Sequence, residues 1–369
     1  MRFAFVVNNY PPRVGGVELH VRNLARRLHE QGHDVLIVTL SESTGIADED
    51  GIEVIRMAEH LRVGGILGFP SPGATRRIAR LLRERHVDVV SIHTRFFPMS
   101  WVGLRAAKRA GAAVLHTEHG SDHVVSSSAV VTVASRLVDH TFGKAVLRAA
   151  DEVLGVSENV VAFVERLSGR ADAHVFYNAI DPAPAEIERT QRSRVVFVGR
   201  LVPGKGAEVF VETVARLRGE GREVTAEILG DGVSRPAVEE AVTRAGLGDR
   251  VVLRGRVDVD EVSSALAGSV LINPSILAEG FQITLLEALE VGGSVVSYDL
   301  PGVRTLREAG QPVRLVEQKT PEALAEAAGA LLDQGWTALP MDDWHWSVRA
   351  TQYADLAGRV LRDRSRNPR

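Results

Sequence analysis

The chain has 369 residues, of which 45% are hydrophobic and 25% charged, and its formal net charge is −3. This composition is typical of a globular protein in water, and so small a net charge gives no reason to expect nucleic acid as a partner. A single core rarely serves so long a chain, so we expect two domains. The absence of cysteine excludes a disulfide framework, a thiolate zinc site and a cysteine nucleophile.

The N-terminal residues M-R-F-A-F-V-V-N-N-Y contain an apolar run that is too short for a signal peptide and lacks a small-residue cleavage site. No later apolar stretch reaches the length of a transmembrane helix. We therefore expect a cytoplasmic protein.

The first elements are a buried strand, a glycine loop, a helix and a second strand. Phe3–Val7 is continuously apolar, and Gly15 and Gly16 stand in the loop that follows it. The predicted helix ends at Gly32, and Asp34–Leu40 is again apolar. This order is that of a Rossmann-type domain, but the fingerprint G-x-G-x-x-G is missing, so no dinucleotide cofactor is expected. A glycine pair here suits either a simple helix start or a close approach of the backbone to a ligand.

Residues 71–86 predict a basic amphipathic helix, which follows the apolar segment Val63–Phe69. Its cations are Arg76, Arg77, Arg80, Arg83 and Arg85. Such a helix fits the surface of the first sheet, and it would also suit an anionic membrane that carries a lipid acceptor. We favour the surface helix and keep peripheral membrane contact as the alternative.

Two further strands, Asp88–His93 and Ala112–His116, are predicted before the string H-T-E-H-G-S-D-H. This string holds His116, His119 and His123. A zinc site made from them is disfavoured, because there is no H-E-x-x-H helix and the spacing alternates faces on leaving a strand. We expect no metal.

The first domain is expected to close near residue 182. Ser157 is predicted as a helix N-cap and Asn178–Pro182 as a turn. The polar segment Ala183–Arg194 is interpreted as the linker between domains. We therefore place an N-terminal domain at residues 1–182 and a C-terminal domain at residues 183–349.

The second domain opens with the apolar strand Val195–Val198, the loop G-R-L-V-P-G-K-G and the helix Ala207–Arg218. The loop approaches the G-x-x-x-x-G-K form of a P-loop. However, Gly206 stands where a Ser or Thr would hold magnesium, so a nucleoside triphosphatase is not expected. Arg200 offers a planar fork of donors and Lys205 a point charge beside a helix start, and this combination suits a diphosphate.

Strands and helices alternate from there to the end of the chain. The predicted elements are strands Val224–Leu229, Val251–Val257, Val270–Asn273 and Ser294–Leu300, helices capped near Ser234 and Asp260, and a last helix at Trp344–Leu361. The D-x-D string at Asp258 has the form of some divalent-metal sites, but at a helix start it is better interpreted as an N-cap. The tail Arg362–Arg369 is expected to fray.

The stretch Ala278–Gly293, A-E-G-F-Q-I-T-L-L-E-A-L-E-V-G-G, joins an apolar strand to a helix through Gly280. The first helical amides, at Phe281, Ile283 and Thr284, have no partner within the helix and point back toward the strand end. They make an anion site.

Two acids flank this helix start. Glu279 precedes it, and Glu287 lies away from the apolar stripe of the helix. Carboxylates would accept hydrogen bonds from hydroxyls while the amides donate to phosphates. The pair suits a ligand that carries both groups, although a loop acid and a solvated helix face would give the same pattern.

The spacing of Glu279 and Glu287 resembles the E-x7-E motif of the retaining family 4 glycosyltransferases, which have the GT-B fold. Further matches to this family follow in order along nearly the whole chain. They are the Gly15-Gly16 loop, the H-G pair at His119, A-D-E-V-L-G-V-S-E-N-V from Ala150, V-F-Y-N-A-I-D-P to Pro182, and G-R-L with K-G around Arg200 and Lys205. The resemblance implies an α/β protein with two Rossmann-like domains that face a cleft, and a C-terminal helix, about residues 350–369, that crosses back to the first domain.

The resemblance also implies roles for the donor-side residues. Arg200 and Lys205 would bind the diphosphate of a nucleotide-sugar, and the backbone around Arg256 and Val257 would hold its base. Glu287 would bind the ribose hydroxyls.

On the sugar and acceptor side, Glu279 would bind the sugar hydroxyls, and Gly15 and Gly16 would approach acceptor and diphosphate through their backbone. His119 would lie beside the donor sugar, with His116 as the fallback.

The expected reaction is transfer of a hexose-type sugar from a nucleoside diphosphate sugar to a hydroxyl acceptor, with retention at the anomeric carbon and with no metal or other cofactor. A UDP-sugar is favoured over GDP-mannose. A nucleotide-sugar epimerase of the same fold and a GDP-mannose-dependent mannosyltransferase are the alternatives. A binding-only relative is less favoured because all the motif residues are present, and a solute-binding protein would need an export signal.

Overall fold

The structure is a computed structural model that describes residues 1–13, 15–63, 67–123, 129–187, 193–277 and 279–366. Outside these ranges lie Ala278, residues 64–66 of the apolar segment, residues 188–192 of the predicted linker and residues 367–369 of the tail. The chain divides into two compact units: Met1–Ala179 with Trp346–Arg369, and Ile180–His345. Residues 183–187, at the start of the predicted linker, belong to the second unit.

The first unit is built on a mainly parallel sheet. Its strands are β1 (Arg2–Val6), β2 (Asp34–Ser41), β3 (Gly45–Glu49), β4 (Ile52–Val63), β5 (Leu67–Pro70), β6 (Val89–His93), β7 (Ala113–Glu118), β8 (Glu152–Gly155) and β9 (His174–Val175). They lie in the order β3-β4-β2-β1-β6-β7-β8-β9, and β5 pairs with β4. β3 and β5 are antiparallel to β4, whereas β1 pairs in parallel with both β2 and β6.

Helices cover this sheet. They are α1 (Gly16–Glu30), α2 (Ala74–Glu84), α3 (Pro98–Ala110), α4 (Ala129–Val138), α5 (Lys144–Ala149) and α6 (Glu158–Ser168), with a π-helical turn at Asp139–Gly143. The predicted opening of strand, glycine loop, helix and strand is confirmed as β1, α1 and β2. The basic helix is α2; it packs on α3 with Ile78 and Leu82 buried and its arginines exposed, as a surface helix does.

The second unit has its own parallel sheet. Its strands are β10 (Arg194–Val198), β11 (Thr225–Leu229), β12 (Val251–Gly255), β13 (Val270–Asn273), β14 (Ser294–Tyr298) and β15 (Val313–Val316), in the order β12-β11-β10-β13-β14-β15. Its helices are α7 (Ala207–Gly219), α8 (Arg235–Arg244), α9 (Val259–Leu266), α10 (Ile283–Glu290), α11 (Val303–Glu308) and α12 (Pro321–Gln334). Alternate residues of the strands, such as Val195 and Phe197 of β10, form one core cluster with buried residues of α7, α8 and α12.

The last helix, α13 (Trp346–Arg366), returns to the first unit. Trp346 and Tyr353 share a core with Phe3 of β1. The predicted fraying from Arg362 is wrong as far as Arg366. The last turn is fixed because the Arg364 guanidinium donates to Asp151 at 3.3 Å and to the Gly111 carbonyl at 3.1 Å.

Each sheet has a switch point, where successive strands are added on opposite sides. In the first unit it lies between β1 and β6, and in the second between β10 and β13. The loops that leave two such strands turn to opposite faces, and a crevice opens at the carboxyl ends of the strands. Ligand sites in parallel α/β sheets lie at these places.

Helix starts agree with the predicted caps in two of three cases. The Ser157 hydroxyl accepts from the Val160 amide, and Asp258 and Glu261 form a capping box, so the D-x-D acid at Asp258 serves the helix. Ser234 occupies the N-cap of α8, but its hydroxyl makes no capping bond. Among the described residues, no helix is long and apolar enough to cross a bilayer.

Candidate functional site

The two donor motifs of the second unit meet at its switch point. The G-R-L-V-P-G-K-G loop follows β10, and the E-x7-E stretch follows its neighbour β13. The Ile276 amide donates to the Gly204 carbonyl at 2.9 Å. Lys205 Nζ lies 2.6 Å from Glu279 Oε1. A cation and a carboxylate that are far apart in sequence therefore stand together at the strand ends.

The backbone at Gly206 shows why this loop has glycine where a P-loop has serine or threonine. Its φ is +83°, and a Cβ at this position would lie 2.5 Å from the Pro274 carbonyl oxygen. A serine or threonine would push the loop away from the segment after β13. The glycine therefore allows the contact between the two motifs, at the position where a triphosphatase needs a hydroxyl.

Two helix starts flank the Lys205–Glu279 pair. Gly206 is the N-cap of α7 and Gln282 the N-cap of α10, and neither gives a side-chain capping bond. The first two amides of each helix, at Ala207, Glu208, Ile283 and Thr284, make no backbone hydrogen bond found among the described residues. Both helix dipoles present their positive ends to the same strand edge. An anion would be stabilised there.

Lys205 and Arg200 differ in their exposure and in their hydrogen-bond partners. The Lys205 side chain is 15% exposed and neutralises Glu279, which is 27% exposed. Arg200 is exposed, and its guanidinium makes no hydrogen bond or ion pair with any residue that the structure describes. A diphosphate could recruit Arg200 freely, whereas it would compete with Glu279 for Lys205.

Glu287 is a half-buried acid in α10. Burial raises the pKa of its carboxyl from 4.5 to about 7. No hydrogen bond to this carboxyl is found within the described residues. A buried acid without a protein partner and with a perturbed pKa is typical of a ligand-binding position.

The other residues predicted to bind the nucleotide-sugar differ in their exposure and packing. Gly280, Ile283 and Thr284 are half-buried at the start of α10. The Phe281 ring packs inward and stacks on Trp344 with ring centroids 5.9 Å apart.

Arg256 and Val257 directly follow β12, two strands away from β10. They share the carboxyl edge of the sheet with Lys205, and Arg256 is exposed. No hydrogen bond joins them to Lys205 or Glu279 among the described residues.

In the first unit, Gly15 is the N-cap of α1 and Gly16 its first residue, and both follow β1. His119 directly follows β7. His119 Nε2 lies 3.1 Å from His93 Nδ1, and the His20 ring stands edge-on to the His119 ring at 4.7 Å. The nitrogens of these three histidines come within 4.8 Å of one another.

His20 and His93 are not among the predicted site residues. A signal existed, because His20 stands on the apolar stripe of α1 beside Val21 and Leu24, and His93 ends a buried strand. A histidine among apolar residues either has a partner or serves a site.

The other histidines of H-T-E-H-G-S-D-H have different partners. β7 continues to Glu118 rather than ending at His116, so His116 is buried inside the sheet, 3.2 Å from Glu118. His123 Nδ1 lies 2.6 Å from Asp139. His119, unlike the fallback His116, is partly accessible.

A buried arginine fixes the chain around His119. Arg95 donates to Glu118 at 3.0 Å and to Asp139 at 2.8 Å, and all three side chains are almost fully buried. Burial opposes ionisation of Glu118, but the charge of Arg95 and hydrogen bonds outweigh it and hold its pKa far below the usual range. Glu118 Oε1 also accepts from the amides of His119 and Gly120. This ion-pair network therefore sets where His119 leaves the strand.

Solved structures share this architecture. Sucrose-phosphate synthase of Thermosynechococcus elongatus superposes with a TM-score of 0.72 at 19% identity, over 98% of this chain and 99% of that chain. Anabaena HepE, crystallised with UDP and glucose, gives a TM-score of 0.70 at 19% identity, over 97% of this chain and 99% of that one. These likenesses show the fold, which is that of the GT-B class.

Sequence comparison gives the family. The model for Glycosyltransferase Family 4 matches residues 14–184, and that for Glycosyl transferases group 1 matches residues 192–334. The chain belongs to glycosyltransferase family 4. A phosphatidylinositol N-acetylglucosaminyltransferase of Arabidopsis thaliana is 29% identical, over 82% of this chain and 68% of its own length.

Proposed function

We propose that the protein transfers a hexose-type sugar from a nucleoside diphosphate sugar to a hydroxyl acceptor, with retention of configuration and without a metal ion. The observation that carries this proposal is the pair of Lys205 and Glu279, 2.6 Å apart between two helix starts that lack side-chain caps. Such a place offers cationic and amide donors to a diphosphate and a carboxylate to sugar hydroxyls.

Departure of the diphosphate is the step that needs charge stabilisation. Arg200, Lys205 and the amides of α7 and α10 would bind the negative charge that develops on the leaving group, a task that a divalent ion performs in other enzymes. Glu279 would accept hydrogen bonds from the sugar and Glu287 from the ribose. The backbone at Arg256 would contact the base.

A UDP-sugar is the favoured donor. Anabaena HepE, of the same fold, has been crystallised with UDP and glucose, and the Arabidopsis relative is named as an N-acetylglucosaminyltransferase. A GDP-mannose donor is the alternative, because a shared fold does not fix the substrate.

The acceptor side is assigned to the first unit. Gly15 and Gly16 would approach the acceptor and the diphosphate through their backbone, and His119 would bind the donor sugar. In the proposed mechanism the acceptor oxygen bonds to the anomeric carbon on the face from which the phosphate oxygen leaves. The leaving phosphate oxygen takes the acceptor proton, so no protein base is needed.

Peripheral contact with the inner face of a membrane is part of the proposal for a lipid-linked acceptor. The exposed arginines of α2 give the first unit a basic surface, and the name of the Arabidopsis relative includes phosphatidylinositol. A basic helix face is attracted to anionic lipid.

Anomeric analysis of the product tests the reaction. With UDP-sugars and GDP-mannose offered separately to a panel of hydroxyl acceptors, we expect transfer from a UDP-sugar, an α-linked product from an α-linked donor, and unchanged turnover in EDTA. Proton NMR of the purified product gives the configuration. An inverted product, or turnover restored only by Mg²⁺, contradicts the proposal, and conversion of the donor without acceptor would indicate an epimerase.

Replacing Glu287 with glutamine should stabilise the protein at pH 8 while weakening nucleotide binding. The folded pKa of about 7 exceeds 4.5, so the folded state favours the neutral carboxyl, and stability falls as pH rises between these values. The amide removes this cost, up to about 3 kcal/mol at pH 8, and raises Tm by about 6–12 °C. Differential scanning calorimetry at pH 4.5 and 8 checks the sign.

The same variant tests the ribose contact. Because the carboxylate accepts hydrogen bonds more strongly than the neutral acid, UDP affinity of the unmodified protein should rise from pH 6 to pH 8. In Glu287→Gln the UDP affinity should rise less with pH, and only because the diphosphate itself ionises. Equal pH dependence in the two proteins would exclude Glu287 from the nucleotide site.

A further inference from the structure

A line of hydrogen bonds runs from the last helix to His119. Tyr353 of α13 donates its hydroxyl proton to Ser91 Oγ at 2.7 Å. Ser91 Oγ lies 3.0 Å from His93 Nε2, and His93 Nδ1 lies 3.1 Å from His119 Nε2. All four residues belong to the first unit, and the first three are buried.

The direction of each bond follows from the protons available. Tyr353 is fully buried, and Ser91 Oγ is the acceptor found for its proton within the described residues. Ser91 then has one proton of its own to donate, and His93 Nε2, 3.0 Å away, is the acceptor found for it within the described residues. His93 Nε2 is then unprotonated, so the ring of a neutral His93 carries its proton on Nδ1 and donates it to His119 Nε2.

We propose that Tyr353, Ser91 and His93 are positioning residues that hold His119 as a neutral imidazole with its proton on Nδ1. His119 would then act as a hydrogen-bond donor to a sugar hydroxyl rather than as a cationic acid. This inference rests on the proposed function for the role of His119 in transfer, but not for its protonation state. His119 Nδ1 has no hydrogen-bond partner among the described residues, so its proton is available to a ligand.

The surroundings of His119 agree with a neutral ring. His20 of α1 faces it edge-on, and its own Nδ1 lies 2.9 Å from Asn178 Oδ1. The charged or titratable groups near His119 are His20, His93, His116 and Glu118. Burial first, and then the neighbouring histidines, lower the pKa of His119 well below its usual value, against the opposing effect of Glu118. Burial likewise lowers the pKa of His93.

His20, His93 and His119 would alternatively bind a transition metal, because imidazole nitrogens are good ligands for zinc. Their nitrogens lie within 4.8 Å of one another, and His20 Nε2 is buried without a partner in the described part of the chain. However, the 3.1 Å contact between His93 and His119 is already a hydrogen bond. The line of hydrogen bonds from Tyr353 to His119, here called the relay, thus explains this contact without a metal ion. Zinc binding is one of the outcomes that the test distinguishes.

The first measurement is the tautomer of each ring in the full-length protein. In a two-bond ¹H–¹⁵N correlation spectrum, with peaks assigned from His93→Asn and His119→Asn, we expect both rings to be neutral with Nδ1 protonated at about pH 6.5, where an ordinary histidine is half charged. A His119 ring protonated on Nε2, or charged at about pH 6.5, overturns the proposal. So does stoichiometric zinc binding in calorimetry that is lost in His20→Ala.

The second measurement separates positioning from packing. His93→Phe keeps a ring against Phe5, which stacks on His93 at 6.0 Å, but has no proton to donate. We expect kcat to fall about tenfold or more with KM for the donor little changed. His93→Asn retains an N–H near the position of Nδ1 and should recover most of kcat. His174→Asn, at an exposed histidine of β9, is the control.

The NMR measurement and the kinetic measurement test separate parts of the proposal. If the tautomers are as stated but His119→Ala transfers sugar normally, the relay stands and the proposed role of His119 is wrong. If His93→Phe and His93→Asn lose kcat equally while retaining the Tm of the unmodified protein, the donated proton has no positioning role and the relay is wrong.

Discussion

Lys205→Ala is expected to lower kcat/KM by about 10²–10³-fold, one of the two largest losses from a single substitution in this protein. The ammonium lies between two helix starts and is only 15% exposed, so its charge acts on a bound phosphate with little screening by water. Loss of one preorganised donor to a developing negative charge has this magnitude in other enzymes. The loss should appear in both nucleotide affinity and kcat, because the diphosphate is charged before and after it departs.

Calorimetry with UDP and initial rates with the nucleotide-sugar measure the two parts. Lys319→Ala is the matched control, since Lys319 is an exposed lysine of the same unit. Unchanged UDP affinity in Lys205→Ala would remove this residue from the site. Arg200→Ala should show a smaller loss, because an exposed guanidinium is more strongly screened.

A substitution of Glu279, the partner of Lys205, provides a second test of the same site. In the structure each side chain neutralises the other, whereas in the proposed complex Lys205 binds phosphate and Glu279 binds sugar hydroxyls. Glu279→Gln releases Lys205, so UDP alone should bind as well as before or better, while the UDP-sugar should lose affinity relative to UDP. A double-mutant cycle of the two substitutions separates these contributions from their mutual attraction.

The donor side could be predicted because its signals are local. An apolar strand, a glycine turn and a helix start occur within a few residues in each motif, and they place Lys205 and Glu279 at carboxyl ends of strands. Parallel strands expose these ends along one edge of the sheet. Sequence alone does not state that β10 and β13 are neighbours. That adjacency is what converts two loops into one site.

The histidine side was predicted only in part, because its partners come from distant segments. His20, His93 and Arg95 meet His119 or its strand only through the order of β1, β6 and β7 in the sheet. Neither hydrophobic periodicity nor a motif reports that order. The strand end was also misplaced: the predicted strand ended at His116, but β7 continues to Glu118, whose charge is neutralised by the buried Arg95.

The antiparallel extension β3, β4 and β5 was missed for a different reason. Its longest strand, β4, is rich in charged residues and mostly half-buried or exposed, so it lacks the apolar run of an interior strand. Ion pairs hold this strand instead. Arg56 of β4 lies 2.7 Å from Glu49 of β3, and Glu59 of β4 lies 3.3 Å from Arg13 in the loop after β1. Such pairing depends on register, which a single sequence does not give.

His119→Ala should abolish most of the transfer while UDP affinity stays within about twofold. The imidazole is assigned to the donor sugar, whereas the proposed side-chain contacts to UDP lie in the second unit, so the two functions should separate. We expect kcat to fall by about 10²–10³-fold, as for the loss of an active-site donor whose bond strengthens in the transition state. Initial rates at saturating donor, with UDP titration calorimetry on the same sample, measure both quantities.

His174→Ala is the control for the loss of an imidazole, because His174 is 61% exposed and its one ion pair found among the described residues is with Glu152. His119→Ala is informative only if it folds, and its partly accessible ring makes a large loss of Tm unexpected. A fully active variant would exclude His119 from the reaction. His116 could not then take over the role directly, because it is buried inside the sheet beside Glu118, so the acceptor side would have to work through backbone groups such as those of Gly15 and Gly16.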